Sequence, residues 1–102
     1  MELLTDDLRS RLPLLRSQDN EPEPMIHARF FLPGTELVWY AIEGRTENED
    51  YLFYGFVLGP NAFQYFRLSE LEAARGTQGQ TVQRDQAFIP GRLTEVVPAP
   101  DL

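Results

Sequence analysis

The sequence predicts an α+β fold, an antiparallel four- to five-stranded meander sheet with an N-terminal helix packed on one face and a short helix after strand 4. Three observations predict it. Leucines recur with helical period at the N-terminus, aromatic strand segments follow one another across short turns, and a helix-opening motif comes after the fourth segment. Because short turns join antiparallel neighbours, these strands should form a meander. A small half-open barrel is the alternative arrangement of the same strands.

The N-terminal helix is predicted over residues 2–16. One apolar stripe lines a single face of it, formed by Leu4, Leu8, Leu12 and Leu15. Thr5 is a candidate N-cap, because its hydroxyl can accept a hydrogen bond from the first turn. Pro13 lacks a backbone N–H and should end or kink the helix near Arg11 or Leu12.

Four segments have the alternation and composition of strands: 26–32, 36–44, 50–59 and 63–68. The second is apolar on both faces, so we expect it to be central and covered on both sides. Gly55 within the third predicts a bulge or a close approach of a neighbouring backbone. Residues 83–89 are predicted to form a last strand or an extended edge, and 93–97 can hold one helical turn.

Ser69 and Glu72 have the spacing of a capping box, and they predict a helix of about two turns that Gly76 ends. Residues of the sheet and of the N-terminal helix should share one hydrophobic core. The predicted members are Trp39, either Phe53 or Tyr54, Phe56 and Phe66, with Leu8 and Leu12.

The length of 102 residues is that of one domain, predicted over 1–102. The chain contains no cysteine, which excludes disulfides. Its N-terminus mixes acids with arginines where a signal peptide would need a basic start and an apolar run. No apolar run approaches the roughly 20 residues of a membrane span. We therefore expect a soluble cytoplasmic protein without a membrane segment.

The formal net charge is −7, from 16 acidic and 9 basic residues, and every basic residue is arginine. This balance disfavours direct nucleic-acid binding, because such proteins gain much of their affinity by neutralising phosphates. Two interpretations of the charge remain. The acids only solubilise the surface, or they form a surface that mimics nucleic acid or docks on a basic partner.

The residue inventory removes many chemistries. Without cysteine there is no thiol nucleophile and no zinc–thiolate site, and without lysine there is no Schiff base and no P-loop. His27 is the only histidine, so a two-histidine metal site would need a second chain. Ser69 is predicted to be a helix cap rather than a nucleophile. No cofactor, metal ligand or catalytic residue is predicted.

Two groups of carboxylates are the candidate partner-binding residues. The first surrounds the turn between the second and third strands and comprises Glu43, Glu47, Glu49 and Asp50. The second lies in a polar segment, the connector 17–24, and comprises Asp19, Glu21 and Glu23. The spacing around the turn does not match a calcium loop, so we interpret both groups as solvated. Exposed carboxylates of this kind attract and orient a basic partner.

The aromatic residues of the sheet could stack nucleobases, but no excess of basic residues accompanies them. Packing in the core or in an interface is therefore the favoured interpretation. The residues concerned are Trp39, Tyr40, Tyr51, Tyr54 and Tyr65. Arg84 and Asp85 are adjacent on a predicted strand and should point to opposite sides, which argues against a catalytic pair.

Five blocks of the sequence occur together in one known family. They are LLTDDLRSRLPLL, RFFLPGTELVWYAIE, FYGFVLG, YFRLSELEAARG and QRDQAF, in that order. With these blocks the chain resembles, over nearly its whole length, the bacterial family catalogued as domain of unknown function 2958. The resemblance implies a small protein carried on plasmids and other mobile elements, often near antirestriction genes. It implies no activity and no catalytic residues.

Three hypotheses for the function follow. The first is a non-enzymatic binding protein of a mobile genetic element, which inhibits a host defence or nucleic-acid-processing complex by binding a basic protein, as antirestriction or anti-CRISPR proteins do. The alternative is an enzyme or small-ligand-binding protein that uses tyrosine, arginine and carboxylate groups in a cleft over the sheet. A deep pocket joining Arg67, Arg84 and tyrosines would favour it. The third is a structural subunit whose aromatic sheet face pairs with itself. The sequence leaves the oligomeric state open.

Overall fold

Within residues 2–97, which the computed structural model describes, the chain forms three short helices and seven strands. The helices are α1 (Asp6–Arg11), α2 (Leu68–Ala73) and α3 (Leu93–Val96). The strands are β1 (Met25–Ile26), β2 (Ala28–Phe31), β3 (Val38–Glu47), β4 (Asp50–Leu58), β5 (Ala62–Arg67), β6 (Gln83–Arg84) and β7 (Gly91–Arg92). None of these helices has the length and apolar character that crossing a membrane requires.

Five of the strands form one antiparallel sheet in the order β5-β4-β3-β2-β6, and β1 pairs with β7 in a separate two-stranded sheet. Strands β2 to β5 are neighbours in chain order because short turns connect them. The predicted α+β fold is therefore confirmed, with its N-terminal helix and the helix after the fourth strand, and the half-open barrel is wrong. The five-stranded sheet departs from a simple meander at its last strand, β6, because β6 pairs with β2 at the far edge instead of with β5.

The predicted strand over 83–89 is confirmed only over its first two residues. The Asp85 carboxylate accepts a hydrogen bond from the Ala87 N–H at 3.0 Å, and the Asp85 carbonyl accepts one from the Phe88 N–H at 3.2 Å. These bonds close a turn that takes the chain out of the sheet. The chain then pairs through β7 with β1 and continues into the predicted helical turn, α3.

The first helix, α1, has the predicted cap and is shorter than predicted. The Thr5 hydroxyl accepts a hydrogen bond from the Leu8 N–H at 3.1 Å. Leu12 already has extended backbone, because Pro13 disfavours helical conformation before it and cannot continue the helix. The cap and the proline stop are confirmed, whereas the predicted span of 2–16 is too long at both ends.

The helix α2 follows β5 directly, as predicted, and it also ends early. Its C-cap, Ala74, has extended backbone with φ −65° and ψ 137°. Gly76 therefore lies beyond the helix and does not cap it, contrary to the prediction. Leu71 is the buried residue of α2 and joins the core on the face that α1 covers.

The core on the α1 face is built around Phe53, whose side chain is fully buried. Its ring centroid lies 5.5 Å from that of Phe30, 5.2 Å from that of Phe66 and 4.9 Å from that of Tyr51. Edge-to-face and offset-stacked pairs at these distances are favourable beyond the area that they bury. The N-terminal segment covers the cluster with Leu3, Leu4, Leu8 and Leu12.

The predicted core is right for Phe53 and Phe66 and wrong for Phe56. Successive strand residues point to opposite faces, so Phe56, an odd number of positions from Phe53, lies on the other side of the sheet. Trp39 is only partly buried and packs against the α1-side core without being enclosed in it.

The central strand β3 is covered on both faces, as predicted. Opposite α1, a second cluster forms around it and is closed by the C-terminal segment. Its members are Ile26, Val38, Tyr40 and Ile42, and Leu93, Val96 and Val97 pack against them. The β4–β5 half of this face is less covered within residues 2–97, because Phe63 and Tyr65 are 45% and 54% exposed.

A bulge in β3 sets the direction of the residues that follow it. Ala41 pairs with Gly55 and Glu43 pairs with Tyr54, so Ile42 is the extra residue. Directly paired residues share a face of the sheet. The bulge therefore turns Glu43 to the side of Tyr54, whereas unbroken alternation would have placed it on the side of α1.

Gly55 confirms the predicted close approach of two backbones. A Cβ atom at this position would lie 1.8 Å from the carbonyl oxygen of Tyr40, which is far inside van der Waals contact. Only glycine fits opposite the bulge, so the glycine is part of what directs the Glu43 side chain.

Candidate functional site

The carboxylates predicted around the β3–β4 turn do not form one exposed cluster. Glu47 accepts hydrogen bonds from the guanidinium group of Arg45, at 3.1 Å, and from that of Arg67. The bond from Arg67, followed by that from Arg45, holds the pKa of Glu47 below its usual value. Glu49 is exposed and makes no hydrogen bond or ion pair through its side chain within residues 2–97. It is the unengaged acid of the turn.

Asp50 acts as a cap for α2. Its carboxylate accepts hydrogen bonds from the Ser69 N–H at 3.1 Å and from the Ser69 hydroxyl at 2.5 Å. The Arg67 N–H, at the N-cap position, donates to the Glu70 carboxylate at 2.8 Å. The predicted capping box of Ser69 with Glu72 is therefore wrong, because the helix begins before Ser69 and a strand residue supplies the cap.

Replacing Asp50 with asparagine should lower the melting temperature at pH 7. The Ser69 hydroxyl, followed by the Tyr51 N–H, holds the pKa of Asp50 below its usual value. The resulting stabilisation is present above about pH 4, the usual pKa of an unfolded aspartate, and is lost as the pH falls through the lower folded value. Thermal unfolding from acid to neutral pH measures this dependence.

The difference in melting temperature between wild type and Asp50→Asn should close as the pH falls. Glu49→Gln is the matched control, because it neutralises an exposed acid of the same turn that caps no helix, and it should leave the melting temperature nearly unchanged. A difference for Asp50→Asn that persists undiminished in acid would contradict the capping role of its charge.

Glu43 was predicted to be exposed and is buried instead, with 2% of its surface accessible. The bulge directs its side chain under the connector 17–24. One carboxylate oxygen accepts a hydrogen bond from the Arg16 N–H and the other accepts one from the Gln18 N–H, each at 2.7 Å. A buried charge requires such partners, because desolvation without them is costly. Glu43 therefore anchors the connector to the sheet.

The connector crosses the sheet face opposite α1 and is also held beyond Glu43. Before it, the Pro13 carbonyl accepts a hydrogen bond from the Gly44 N–H at 2.9 Å. Near its end, the Glu23 carboxylate accepts one from the Thr94 N–H at 3.2 Å, at the start of α3. Glu23 is thereby engaged in fixing the connector.

Asp19 and Glu21 are the more accessible acids of the connector. Asp19 pairs with Arg16 at 3.1 Å, and their side chains are 49% and 79% exposed. A pair exposed to this degree contributes about 0.2–1 kcal/mol, so Asp19 can exchange it for a cation of a partner. The exposed Glu21 accepts a hydrogen bond from the Glu23 N–H at 3.1 Å, which leaves its second oxygen open.

A cavity of about 300 Å³ opens between the connector and the aromatic half of the sheet face. Asp19 and Glu21 line it from the connector, and Tyr54 and Phe63 line it from β4 and β5. The two rings stack with their centroids 6.1 Å apart and their planes 12° apart. Carboxylates and aromatic faces are the two kinds of group that attract a guanidinium or ammonium ion.

The hydroxyl of Tyr54 experiences the negative potential of this cavity. Burial raises the pKa of Tyr54 first, and the nearby Tyr65, Glu43 and Asp19 raise it further. The carboxylates among these neighbours disfavour the phenolate, and by the same electrostatics they favour a positively charged ligand. Tyr54 is therefore protonated at neutral pH and faces the cavity as a neutral aromatic group.

Arg67 and Arg84 do not meet in one cleft, because they lie on β5 and β6, at opposite edges of the sheet. Arg84 and the adjacent Asp85 instead border a polar cavity of about 220 Å³ with His27. As adjacent strand residues, Arg84 and Asp85 were expected to point to opposite sides of the sheet. Because β6 ends at Arg84, this alternation does not extend to Asp85. Burial, followed by the charge of Arg11, lowers the pKa of His27, so its imidazole is neutral at pH 7.

Metal binding by the acidic side chains has no geometric support in the described part of the chain. No group of three or more His, Asp or Glu side chains there is placed to hold a metal ion. Around the β3–β4 turn, arginines and the start of α2 engage the carboxylates that a cation would need.

Sequence reasoning missed two roles, the anchoring by Glu43 and the capping by Asp50. A signal for the first was present, because a glycine inside a strand indicates a bulge, and a bulge inverts the side chains that follow it. No local signal indicates the second, because Asp50 and Ser69 are 19 residues apart in the chain.

The fold and the surface define a small α+β protein with an acidic, aromatic-walled cavity beside an open sheet edge. The chain belongs to the family described as protein of unknown function (DUF2958), whose model matches residues 3–97. The resemblance seen in the sequence blocks is thereby confirmed. No curated protein and no solved structure matches the chain.

Proposed function

We propose that this protein is a small acidic, non-enzymatic binding protein of a mobile genetic element. It inhibits a host defence or nucleic-acid-processing complex, in the manner of antirestriction or anti-CRISPR proteins, by docking on a basic protein surface. The observation that supports this most directly is the cavity where exposed carboxylates meet aromatic rings, in a chain of net charge −7. The mobile-element context comes from the family resemblance.

Attraction of a basic partner operates at two ranges. At long range, the net negative charge accelerates encounter with a positively charged surface. At contact, Asp19 and Glu21 pair with a cation of the partner, and the ring of Tyr54 adds a cation–π interaction of about 0.5–2 kcal/mol. Arginine suits this site better than lysine, because its planar group can pair with a carboxylate and stack on a ring.

The predicted partner-binding acids divide into direct contacts and supports. Asp19 and Glu21 are the direct contacts of the proposal, since they are exposed at the cavity. Glu43 and Glu23 position the connector that carries them. The remaining acids of the turn contribute chiefly to the net charge, and Glu49, which is exposed and does not line the cavity, is a suitable control.

Removing the charges of the two exposed connector acids in the double variant Asp19→Asn/Glu21→Gln should slow association with a basic partner roughly tenfold. The melting temperature should change little, because both side chains are exposed. The partner is first identified by affinity capture from the native host with mass spectrometry and then purified. Association rates are measured across a salt series, in which the Debye length falls from about 10 Å at 0.1 M to about 3 Å at 1 M.

The control Glu49→Gln should change the association rate by less than about twofold, because it removes an exposed charge away from the cavity. Wild-type association should slow as salt rises. Rates that are unchanged in the double variant and at high salt would show that the acids only solubilise the protein. In the host, wild type but not the double variant should protect an incoming plasmid from restriction or CRISPR cleavage.

The alternative of a small-ligand-binding protein or enzyme is favoured by one observation, the polar cavity beside His27. A ligand bound in that cavity would shift the imidazole NMR signals of His27, and its affinity would be the same for wild type and for the Asp19→Asn/Glu21→Gln variant. Titrating a ligand into wild type and into this variant therefore distinguishes the two candidate functions.

A further inference from the structure

The two edges of the five-stranded sheet differ in length. One edge is β6, with 2 residues, and the other is β5, with 6 residues. The edge strand β5 contains no proline and no bulge, and its register with β4 runs without interruption. Natural proteins shorten, bend or interrupt exposed edges, because an open edge recruits another strand. The β5 edge retains the ability to pair.

Alternation along the ladder identifies the outward-pointing groups of β5. The Arg67 N–H donates to the Glu70 carboxylate at 2.8 Å and therefore points away from β4. In an antiparallel ladder every second residue points the same way, so Tyr65 and Phe63 also direct their N–H and C=O groups outward. No hydrogen bond within residues 2–97 engages these outward groups.

The surroundings of this edge carry an excess of acids, although β5 has no acidic residue of its own. Arg16, Arg45 and Arg67 lie around Tyr65, and each is ion-paired within the chain, with Asp19 or Glu47. Glu70 is exposed at one end of the strand. Asp19 and Glu21 line the cavity that Phe63 borders at the other end. The cation of the strand, Arg67, is ion-paired within the chain. Charge complementarity therefore favours a basic segment at this edge.

We propose that β5 binds an extended, arginine- or lysine-bearing segment of the partner as a sixth strand of the sheet. This inference rests on the proposed function, because it takes the partner to be basic. Main-chain hydrogen bonds to Phe63 and Tyr65 supply affinity, and their half-exposed rings contact alternate side chains of the segment. A second copy of this chain is a poorer occupant, because pairing two copies brings the acidic flanks of both edges together.

Synthetic peptides test the proposal on the whole 102-residue chain. One peptide of about ten residues alternates threonine with arginine, a second replaces arginine by glutamate, and a third is a helix-forming peptide of alanine and arginine. Fluorescence polarisation measures binding. The threonine–arginine peptide should bind at least about tenfold more tightly than either of the others. Hydrogen exchange of the Phe63 and Tyr65 amides should slow when it binds.

A pair of variants distinguishes the contribution of the main-chain N–H group of Tyr65 from that of its aromatic ring. Tyr65→Pro removes an outward N–H without breaking the β4 ladder, and Tyr65→Thr is the matched control that removes the same ring but keeps the N–H. The proline variant should bind the threonine–arginine peptide at least about tenfold more weakly than the threonine variant. Melting temperatures verify that both fold, and Phe63→Pro with Phe63→Thr repeats the test at the second outward position.

The outcomes distinguish a failure of docking on the β5 edge from a failure of the proposed function. If the proline and threonine variants bound the threonine–arginine peptide equally well, docking on β5 would be overturned. The proposed function would still stand in that case, provided that peptide binding depended on the charge of the peptide and on Asp19. Binding that ignored the charge of the peptide would overturn both. Slow exchange of the Phe63 and Tyr65 amides in the free protein, or a dimer that Tyr65→Pro dissociates, would overturn docking of a partner, because the edge would already be occupied.

Discussion

Replacing Glu43 with alanine should lower the free energy of unfolding by about 3 kcal/mol, because hydrogen bonds to a charged group contribute roughly 1.5–3 kcal/mol each. In the wild type, the two carboxylate oxygens of Glu43 accept hydrogen bonds from the N–H groups of Arg16 and Gln18, each with an N···O distance of 2.7 Å. Alanine leaves both donors without an acceptor beneath the connector and leaves a void where the side chain was. Urea unfolding followed by circular dichroism measures the change.

Two further variants separate the carboxylate of Glu43 from its volume and from general charge effects. Glu43→Gln keeps one acceptor but turns an NH₂ group toward the other donor, so it should cost about 2 kcal/mol. Glu49→Ala removes an exposed acid and should change stability by less than about 0.5 kcal/mol. Equal unfolding midpoints for Glu43→Ala and Glu49→Ala would contradict the anchoring role.

The same substitution should also loosen the connector locally. Without Glu43, the N–H groups of Arg16 and Gln18 lose their acceptor, and the middle of the connector is no longer fixed over the sheet. Limited proteolysis should therefore cut in the connector before the rest of the chain. The connector forms one wall of the acidic cavity and carries Asp19 and Glu21. Glu43 is therefore a positioning residue of the proposed binding site, and partner binding should weaken with it even though its own carboxylate is buried.

Replacing Phe53 with alanine should destabilise the protein by about 3–5 kcal/mol, the largest effect expected from truncating one side chain of this core. Phe53 is fully buried and contacts the rings of Phe30, Phe66 and Tyr51. Its removal leaves a cavity at the junction of β2, β4 and β5, which the rigid sheet cannot close. Thermal and urea unfolding measure the loss.

Because a domain of this kind is stable by about 5–15 kcal/mol, Phe53→Leu is the companion variant that keeps the protein folded and should lose about half as much. Phe63→Ala is the matched control on the neighbouring strand, since Phe63 is 45% exposed. It should cost about 1 kcal/mol or less. Trp39→Ala should also cost less than Phe53→Ala, because Trp39 is only partly buried. Similar losses for Phe53 and Phe63 would contradict the placement of the core.

What the sequence by itself determined rests on short-range physics. The alternation of apolar residues identified the strands β2 to β5, because side chains of a strand point to opposite faces whatever surrounds them. Thr5 and Pro13 bounded α1, since capping and the missing N–H act within one turn. Gly55 indicated the close approach, because only the absence of Cβ permits it. The lack of cysteine and lysine excluded whole classes of chemistry, because those reactions require a thiol or an amine whatever the fold.

Only the tertiary structure decided which acids are exposed and which are part of the fold. Asp50 reaches a helix 19 residues away, and Glu43 reaches donors 25 and 27 residues away. Ser69 has the local pattern of a cap, yet its N–H and hydroxyl donate to Asp50, because the pairing of β4 with β5 places this carboxylate beside the first turn of α2. Local spacing carries no information about such contacts, since strand register and the bulge at Ile42 set them. The open β5 edge likewise follows from the return of β6 to β2 on the far side of the sheet.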